Sequence, residues 1–144
     1  MIRKAKPSDL DSIVSLGLEA LNKDPYQDLC IDKKKVIEIA RNTISCASDF
    51  VWVSEVDGEI VASVGAQVHP MLFYKRNQAT VVQFYSRVPG EGRKLLRALI
   101  NWWNSRPGIK SLVFTIECGA DPRIIKLLRR LGLRLELPIL MMTK

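Results

Sequence analysis

The spacing of apolar positions changes period several times along the chain. Met1 to Lys4 predicts a short first strand, after which Leu10, Ile13, Val14, Gly17, Leu18 and Leu21 recur three and four residues apart, the period of a helix buried along one face. Ser8 and Asp11 form a capping-box-like pair at its start, following Pro7. Asn22 to Ile31, which holds Pro25, predicts a loop. Asp32 then caps a second helix reaching about Ala47, with Val36, Ile37, Ala40, Ile44 and Ala47 facing inward.

Beyond that point the pattern turns to strands. Phe50 to Val56 and Glu59 to Val68 flank Asp57-Gly58, a dipeptide that tolerates positive φ, and together they predict a hairpin. His69 to Asn77 is expected as a loop and Gln78 to about Tyr85 as a strand. Glu91 to about Ser105 follows as a helix presenting Leu95, Leu96, Leu99, Ile100 and Trp103 to the core. Lys110 to Glu117 predicts another strand, and Pro122 opens a helix to Leu131 that Gly132 stops. Leu133 to Leu137 and Ile139 to Met142, parted by Pro138, close the chain as one or two strands. The order β-α-α-β-β-β-α-β-α-β(-β) predicts an α/β (α+β) fold: a mixed, mostly antiparallel sheet of six to seven strands, with about four helices on its two faces.

Composition narrows the class. A chain of 144 residues with 47% hydrophobic side chains buries a core and is expected to form one domain over 1–144. Cys30, Cys46 and Cys118 are odd in number and have neither a disulfide framework nor zinc spacing, which suits a reducing compartment; no metal is expected. The longest stretch free of Asp, Glu, Lys and Arg, Ile60 to Tyr74, is broken by Gly65, Gln67, His69 and Pro70, so no membrane span is expected. The N-terminus turns acidic and amphipathic instead of entering a signal-peptide core. A cytoplasmic protein without a membrane partner is the expectation.

Charge is distributed unevenly. Residues 1–86 carry 10 basic and 11 acidic side chains, whereas residues 87–144 carry 12 basic and 4 acidic. The second part therefore faces an anion, either a phosphate-rich cofactor or nucleic acid.

One segment has the form such a cofactor needs. Val81 to Ser86 runs as a strand into Arg87-Val88-Pro89-Gly90-Glu91-Gly92, and a helix opens with Arg93 and Lys94. Glycines let backbone approach a ligand, and the unpaired amides of a first helical turn favour a phosphate. The pattern is neither a P-loop nor a dinucleotide fingerprint. Read alone, it is equally an ordinary strand-to-helix turn.

Arg87-Val88-Pro89-Gly90-Glu91-Gly92 resembles the Arg/Gln-x-x-Gly-x-Gly/Ala signature of the GNAT superfamily of N-acyltransferases. Val51 to Ala62 is similar to that family's second and third strands, Asp121 to Leu133 to its late helix, and Ile2-Arg3-Lys4-Ala5 with Ser8-Asp9-Leu10 to its first strand and helix. The resemblance implies acetyl-CoA as acyl donor and direct transfer of the acetyl group to an amine. It places Val82 and Phe84 along the pantetheine arm, and the amides from Val88 to Lys94 on the pyrophosphate, with Arg87, Arg93 and Lys94 adding charge. Arg123 and Lys126 would approach the adenosine phosphates or form a solvated helix face. A homodimer is common in the family.

The chain departs from the family where many members donate a proton. Asp121, Leu128, Gly132 and Leu133 stand at the positions of the late Asn, Tyr, Gly and Phe, and Leu128 has no proton to give. The fourth strand, Ala79 to Ser86, lacks a carboxylate base. The substitutes are Tyr85 and Ser86 before the turn, Glu117 and Cys118 at the end of the fifth strand, and His69. Three of them also have a bland reading: Tyr85 as a core aromatic, Cys118 as a small buried residue, His69 as a loop residue. Acceptor selection would fall to the loops, one with Asp24, Tyr26 and Asp28 and the other with Phe73, Tyr74, Lys75 and Arg76. Trp102 and Trp103 are adjacent on one helix, so one is expected to point outward or toward a neighbour.

Three function classes remain from this reading. The first is an N-acetyltransferase. The second is a GNAT-fold binding or structural module without turnover, resembling short divergent members from bacterial and tailed-phage genomes. The third, a nucleic-acid binder using Arg123, Lys126, Arg129, Arg130 and Arg134, ranks last because no recognition motif or interleaved aromatic residue accompanies those cations.

Overall fold

The computed structural model describes residues 1–23, 30–115 and 122–134. Its elements are β1 (Ile2–Lys4), a 3₁₀ turn (Pro7–Asp9), α1 (Leu10–Leu21), α2 (Lys33–Ser45), β2 (Phe50–Val56), β3 (Glu59–Pro70), β4 (Asn77–Ser86), α3 (Glu91–Asn104), β5 (Ile109–Phe114) and α4 (Pro122–Arg130). The described strands form one five-stranded sheet in the order β1-β2-β3-β4-β5. Every neighbouring pair is antiparallel except β4 and β5, which run parallel because α3 carries the chain back between them. This is the mixed α/β class expected. The strand count is five among the described residues instead of six or seven: Leu133 and Arg134 belong to no strand there, and the rest of the closing strands lie outside those residues.

Alternation along β2 assigns the two layers. Phe50 and Trp52 face one side, where Ala62, Val64, Ala66 and Val81 pack with Leu95, Leu96 and Leu99 of α3 and Leu128 of α4. Val51 and Val53 face the other, against Ala5, Ile13 of α1 and Ala40 and Ile44 of α2. A hydrophobic strip on each helix thus covers one face of the sheet. Leu16, fully buried, belongs to the α1 strip although the sequence pattern passed over it.

The Asp57-Gly58 hairpin forms as expected, with φ of 51° and 82°. Asp32 caps α2 as expected, its Oδ1 accepting the amides of Lys34 and Lys35 at 3.1 and 3.2 Å. α2 nevertheless stops at Ser45, leaving Ala47 exposed. Its most buried residue is Thr43, whose hydroxyl donates to the Ile39 carbonyl at 2.7 Å and accepts from Gln67 Nε2 at 2.9 Å.

The start of α1 corrects the Ser8–Asp11 cap. Asp9 does the organising: its Oδ2 accepts the Lys6 amide at 2.7 Å, and its carboxylate takes two bonds from Arg3, at 2.7 and 3.0 Å. Arg3 also donates to Glu55 at 2.8 Å, so β1, β2 and the 3₁₀ turn are tied together. The Arg3 guanidinium holds the Asp9 carboxyl below the usual carboxylate range. A depressed folded-state pKa contributes stability above the ordinary Asp range and loses it as pH falls through the depressed value. We predict that Asp9→Asn lowers stability at neutral pH by about 1–3 kcal/mol. Denaturant melts should show the gap to the parent protein closing as the pH is taken below 4; a gap of constant size would refute the assignment.

Candidate functional site

The site is built where β4 parts from β5. The parallel ladder begins at Asn77↔Ile109 and ends at Val81↔Phe114, yet β4 continues to Ser86. Among the described residues its last positions pair with β3, through Gly65↔Gln83, Ser63↔Tyr85 and Ala62↔Ser86. A bulge at Gly65/Ala66 leaves Val82 without a partner on β3. Arg87 N–H donates to the Val61 carbonyl at 2.9 Å, which sets the alternation. Gln83 and Tyr85 turn their peptide groups toward β3, and Phe84 and Ser86 turn theirs to the other side, where no described residue of β5 pairs with them.

The edge leads directly into the glycine turn. Ser86 Oγ donates to the Val88 carbonyl at 2.7 Å, and Gly90, with φ of 88°, caps α3. That left-handed conformation favours glycine, and the space beside Gly90 is open: a Cβ there would meet nothing within 4 Å. Gly92 is different. A Cβ on it would stand 2.9 Å from Phe84 Cζ and 3.3 Å from Ser86 Cβ, so this glycine lets α3 close down on β4. The Phe84 ring fills that space and meets Phe114 edge-on at 5.8 Å. Beyond the turn, the amides of Gly92 and Arg93 have no helical acceptor behind them and point out with the positive end of the α3 dipole.

The cations expected around the turn are not equally placed to serve it. Arg93 is exposed at the mouth of the turn. Arg87 is turned onto α1, where it pairs with Glu19 and reaches Ser15 Oγ at 3.2 Å. Lys94 folds back onto Glu91 at 2.5 Å. Glu91 itself is buried and accepts a bond from the Ser54 hydroxyl of β2, and these two partners hold its carboxyl below the usual range. The turn therefore overlies an ionised carboxylate already neutralised by Lys94. The i,i+3 spacing of Glu91 and Lys94 made that pair visible in the sequence; nothing there linked Glu19 to Arg87.

The candidate catalytic groups separate. Tyr85 lies on the α1 side of β4, its hydroxyl taking a bond from Lys23 at 2.7 Å. Glu117 and Cys118 lie outside the described residues. His69 does not begin a loop: β3 runs on to Pro70, His69 pairs with Gln78, and its Nε2 meets Thr80 Oγ1 at 2.8 Å. That register puts it at the opposite end of β4 from Ser86, about 26 Å away at the rise of a strand. The 71–76 loop, with Phe73 and Tyr74, is at that remote end as well. Leu128 is 3% exposed, in the core beneath the sheet. Arg123 and Lys126 lie exposed on α4. Trp102 packs its ring on Phe50 at 5.1 Å and Trp103 is half-buried, so neither projects freely.

No group of three His, Cys, Asp or Glu stands together among the described residues, and no described helix is long and apolar enough to cross a membrane.

The chain matches no protein-family model and no curated protein sequence. Solved structures resemble it over nearly its whole length. A predicted acetyltransferase from Clostridium acetobutylicum, solved with acetyl-CoA, shares 18% identity over 99% of this chain and 95% of its own, with a TM-score of 0.77. An aminoglycoside acetyltransferase from a soil metagenome, in complex with sisomicin, shares 15% over 100% and 94%, at 0.70. A ribosomal-protein-alanine N-acetyltransferase from Brucella melitensis shares 24% over 92% and 83%, at 0.71.

Proposed function

We propose that this chain, which has the GNAT fold, is an acyl-CoA-dependent N-acyltransferase that passes an acetyl group directly to an amine. The observation that carries the proposal is the Gly90 turn at the head of α3, reached from the end of β4, where the described β4–β5 ladder stops at Val81↔Phe114. The coenzyme, when bound, supplies a thioester whose carbonyl carbon accepts the amine. The residues fit it: Gly90 leaves open space beside the turn, the amides of Gly92 and Arg93 face outward, and Phe84 offers its peptide groups along the parted edge.

Within this reading the turn binds the pyrophosphate through amides and Arg93, while Arg87 and Lys94 serve as structural counter-ions for Glu19 and Glu91. Phe84 and Phe114 wall the apolar base of the opening. Tyr85 stands on the face toward α1, next to Lys23, where its hydroxyl is the candidate proton donor or acceptor. Leu128 supplies none. The known acceptors of the similar structures, an aminoglycoside and a protein alanine, share only an amine, so the acceptor here is proposed at that level.

Calorimetric titration with acetyl-CoA beside ADP tests the donor, and thiol release with a panel of amines tests transfer. Absence of acetyl-CoA binding would overturn the proposal. Given turnover, we expect Tyr85→Phe to lower kcat by about 10²-fold, the low end for loss of a general acid or base. Coenzyme affinity should stay unchanged, and an unaltered kcat would remove Tyr85 from the chemistry. Binding without transfer to any amine would favour a module that holds the coenzyme, the reading to which the apolar, buried Leu128 lends support.

A further inference from the structure

We infer that the outer surface of α3 and α4 is a docking face for a nucleic-acid backbone, separate from the glycine turn. The two helices lie on one side of the sheet because Leu95, Leu96 and Leu99 of α3 share a core cluster with Leu128 of α4. With their apolar strips turned inward, Arg97, Lys126, Arg129 and Arg130 are all exposed on the outside, separate from Arg93 of the turn. Topology has thereby joined cations that lie up to 33 residues apart in the chain.

Nothing exposed on these helices offsets that charge. From Ile60 to Phe114 the sole acidic residue is Glu91, and α4 has none. Glu91 is buried and already bonded to Lys94 and Ser54. The face also extends past any one coenzyme's phosphates: Arg97 lies a full turn beyond Arg93 along α3, away from the turn, and Arg129 and Arg130 sit at the far end of α4.

Three kinds of anionic partner fit a basic face, and the side chains between the cations decide among them. Bilayer docking by a surface helix needs apolar residues to enter the headgroup region, and a protein interface needs aromatic or aliphatic anchors at its centre. The exposed large hydrophobic residues among the described ones are Met1, Leu21, Ile31, Ile39, Leu72, Phe73, Tyr74 and Val82, none of them on α3 or α4, where Trp102 and Trp103 are half-buried. A hydrated row of phosphates asks only for cations with free reach, which this face provides. Contacts made to phosphates carry no base information, which implies binding to duplex without sequence preference.

Fluorescence anisotropy with a labelled duplex of about 20 base pairs, in two unrelated sequences, is the test. Three to five phosphate contacts would weaken binding about a hundredfold between about 50 and about 200 mM salt, equally for both sequences. Combined Arg97→Gln, Arg129→Gln and Arg130→Gln substitutions should weaken duplex binding at least about tenfold and flatten the salt slope by about 2–3. Acetyl-CoA affinity and the thermal melt should not change. The inference is overturned by any of four results: no duplex binding at low salt; equal binding by the triple variant; complete displacement of duplex by acetyl-CoA; or binding to phosphatidylglycerol vesicles without binding to duplex. Since the cations tested lie outside the coenzyme turn, failure of the acyltransferase reading would leave this result standing.

Discussion

Replacing Gly90 with Asp is expected to reduce acetyl-CoA affinity by at least about a hundredfold while leaving the protein folded. Two costs act at once. Gly90 has φ of 88°, and an L-residue held there carries about 1–2 kcal/mol of strain. That strain is local, since an Asp Cβ there would meet nothing within 4 Å. The larger cost is electrostatic. A carboxylate at the cap of α3 would stand where the outward amides await a phosphate, and two like charges about 4 Å apart repel by about 4 kcal/mol at an effective dielectric of 20. Gly92→Ala supplies the contrast. Its methyl would be 2.9 Å from Phe84 Cζ, so the ring must move and the contact with Phe114 be disturbed. Gly92→Ala should therefore lower the melting temperature, whereas Gly90→Asp should chiefly abolish binding. Calorimetry and a thermal melt on both variants check this, and normal acetyl-CoA binding by Gly90→Asp would remove the phosphate role of the turn.

Leu128→Tyr is expected to destabilise the protein and to leave the transfer rate per folded molecule unimproved. By sequence, Leu128 stands where many GNAT members carry the proton-donating Tyr, which made this the natural substitution to restore activity. The structure points the other way. Leu128 is 3% exposed and belongs to the cluster of Leu95, Leu96, Leu99 and the sheet residues above them. Forcing a larger ring into a packed core costs about 1–3 kcal/mol, and a phenol hydroxyl buried without a partner adds about 1–3 kcal/mol. Together these amount to a fall in melting temperature of about 10 °C for a chain of this size. Leu128→Met, nearly equal in volume, should cost less than about 1.5 kcal/mol. A Leu128→Tyr variant as stable as the parent, with faster acetyl transfer, would show instead that position 128 reaches the reacting groups.

The local devices were legible because local chemistry sets them. Asp57-Gly58 predicted its hairpin through the positive φ both residues adopt, and Asp32 predicted the start of α2 through the amides it accepts. The strand, glycine turn and helix from Val81 to Leu96 were equally open to reading, as was the α/β class. Where structure and pattern differ, a distant partner is the reason. Ser8 is the common capping type, but Asp9 has Arg3 and the Lys6 amide within reach. His69 stands beside Pro70, a loop signal, yet β4 lies opposite and extends β3 by pairing.

Sequence alone, then, determined the order of the elements, the amphipathic strip of each helix, the turn at Gly90 and the excess of positive charge after Arg87. These follow from steric preference, periodicity and composition, which act over a few residues or need no geometry. Tertiary structure decided which charges are paired within the chain. Arg87 and Lys94 look alike in the sequence beside Arg93, but the fold brings Glu19 to the first and turns Glu91 under the second. It likewise chose the two roles of the glycines, since Gly92 is governed by a phenylalanine ring from the neighbouring strand and Gly90 by its own φ. The parting of β4 from β5 and the joining of the α3 and α4 cations on one face were also beyond the sequence pattern. Each depends on distances between segments remote in the chain, and only packing sets those distances.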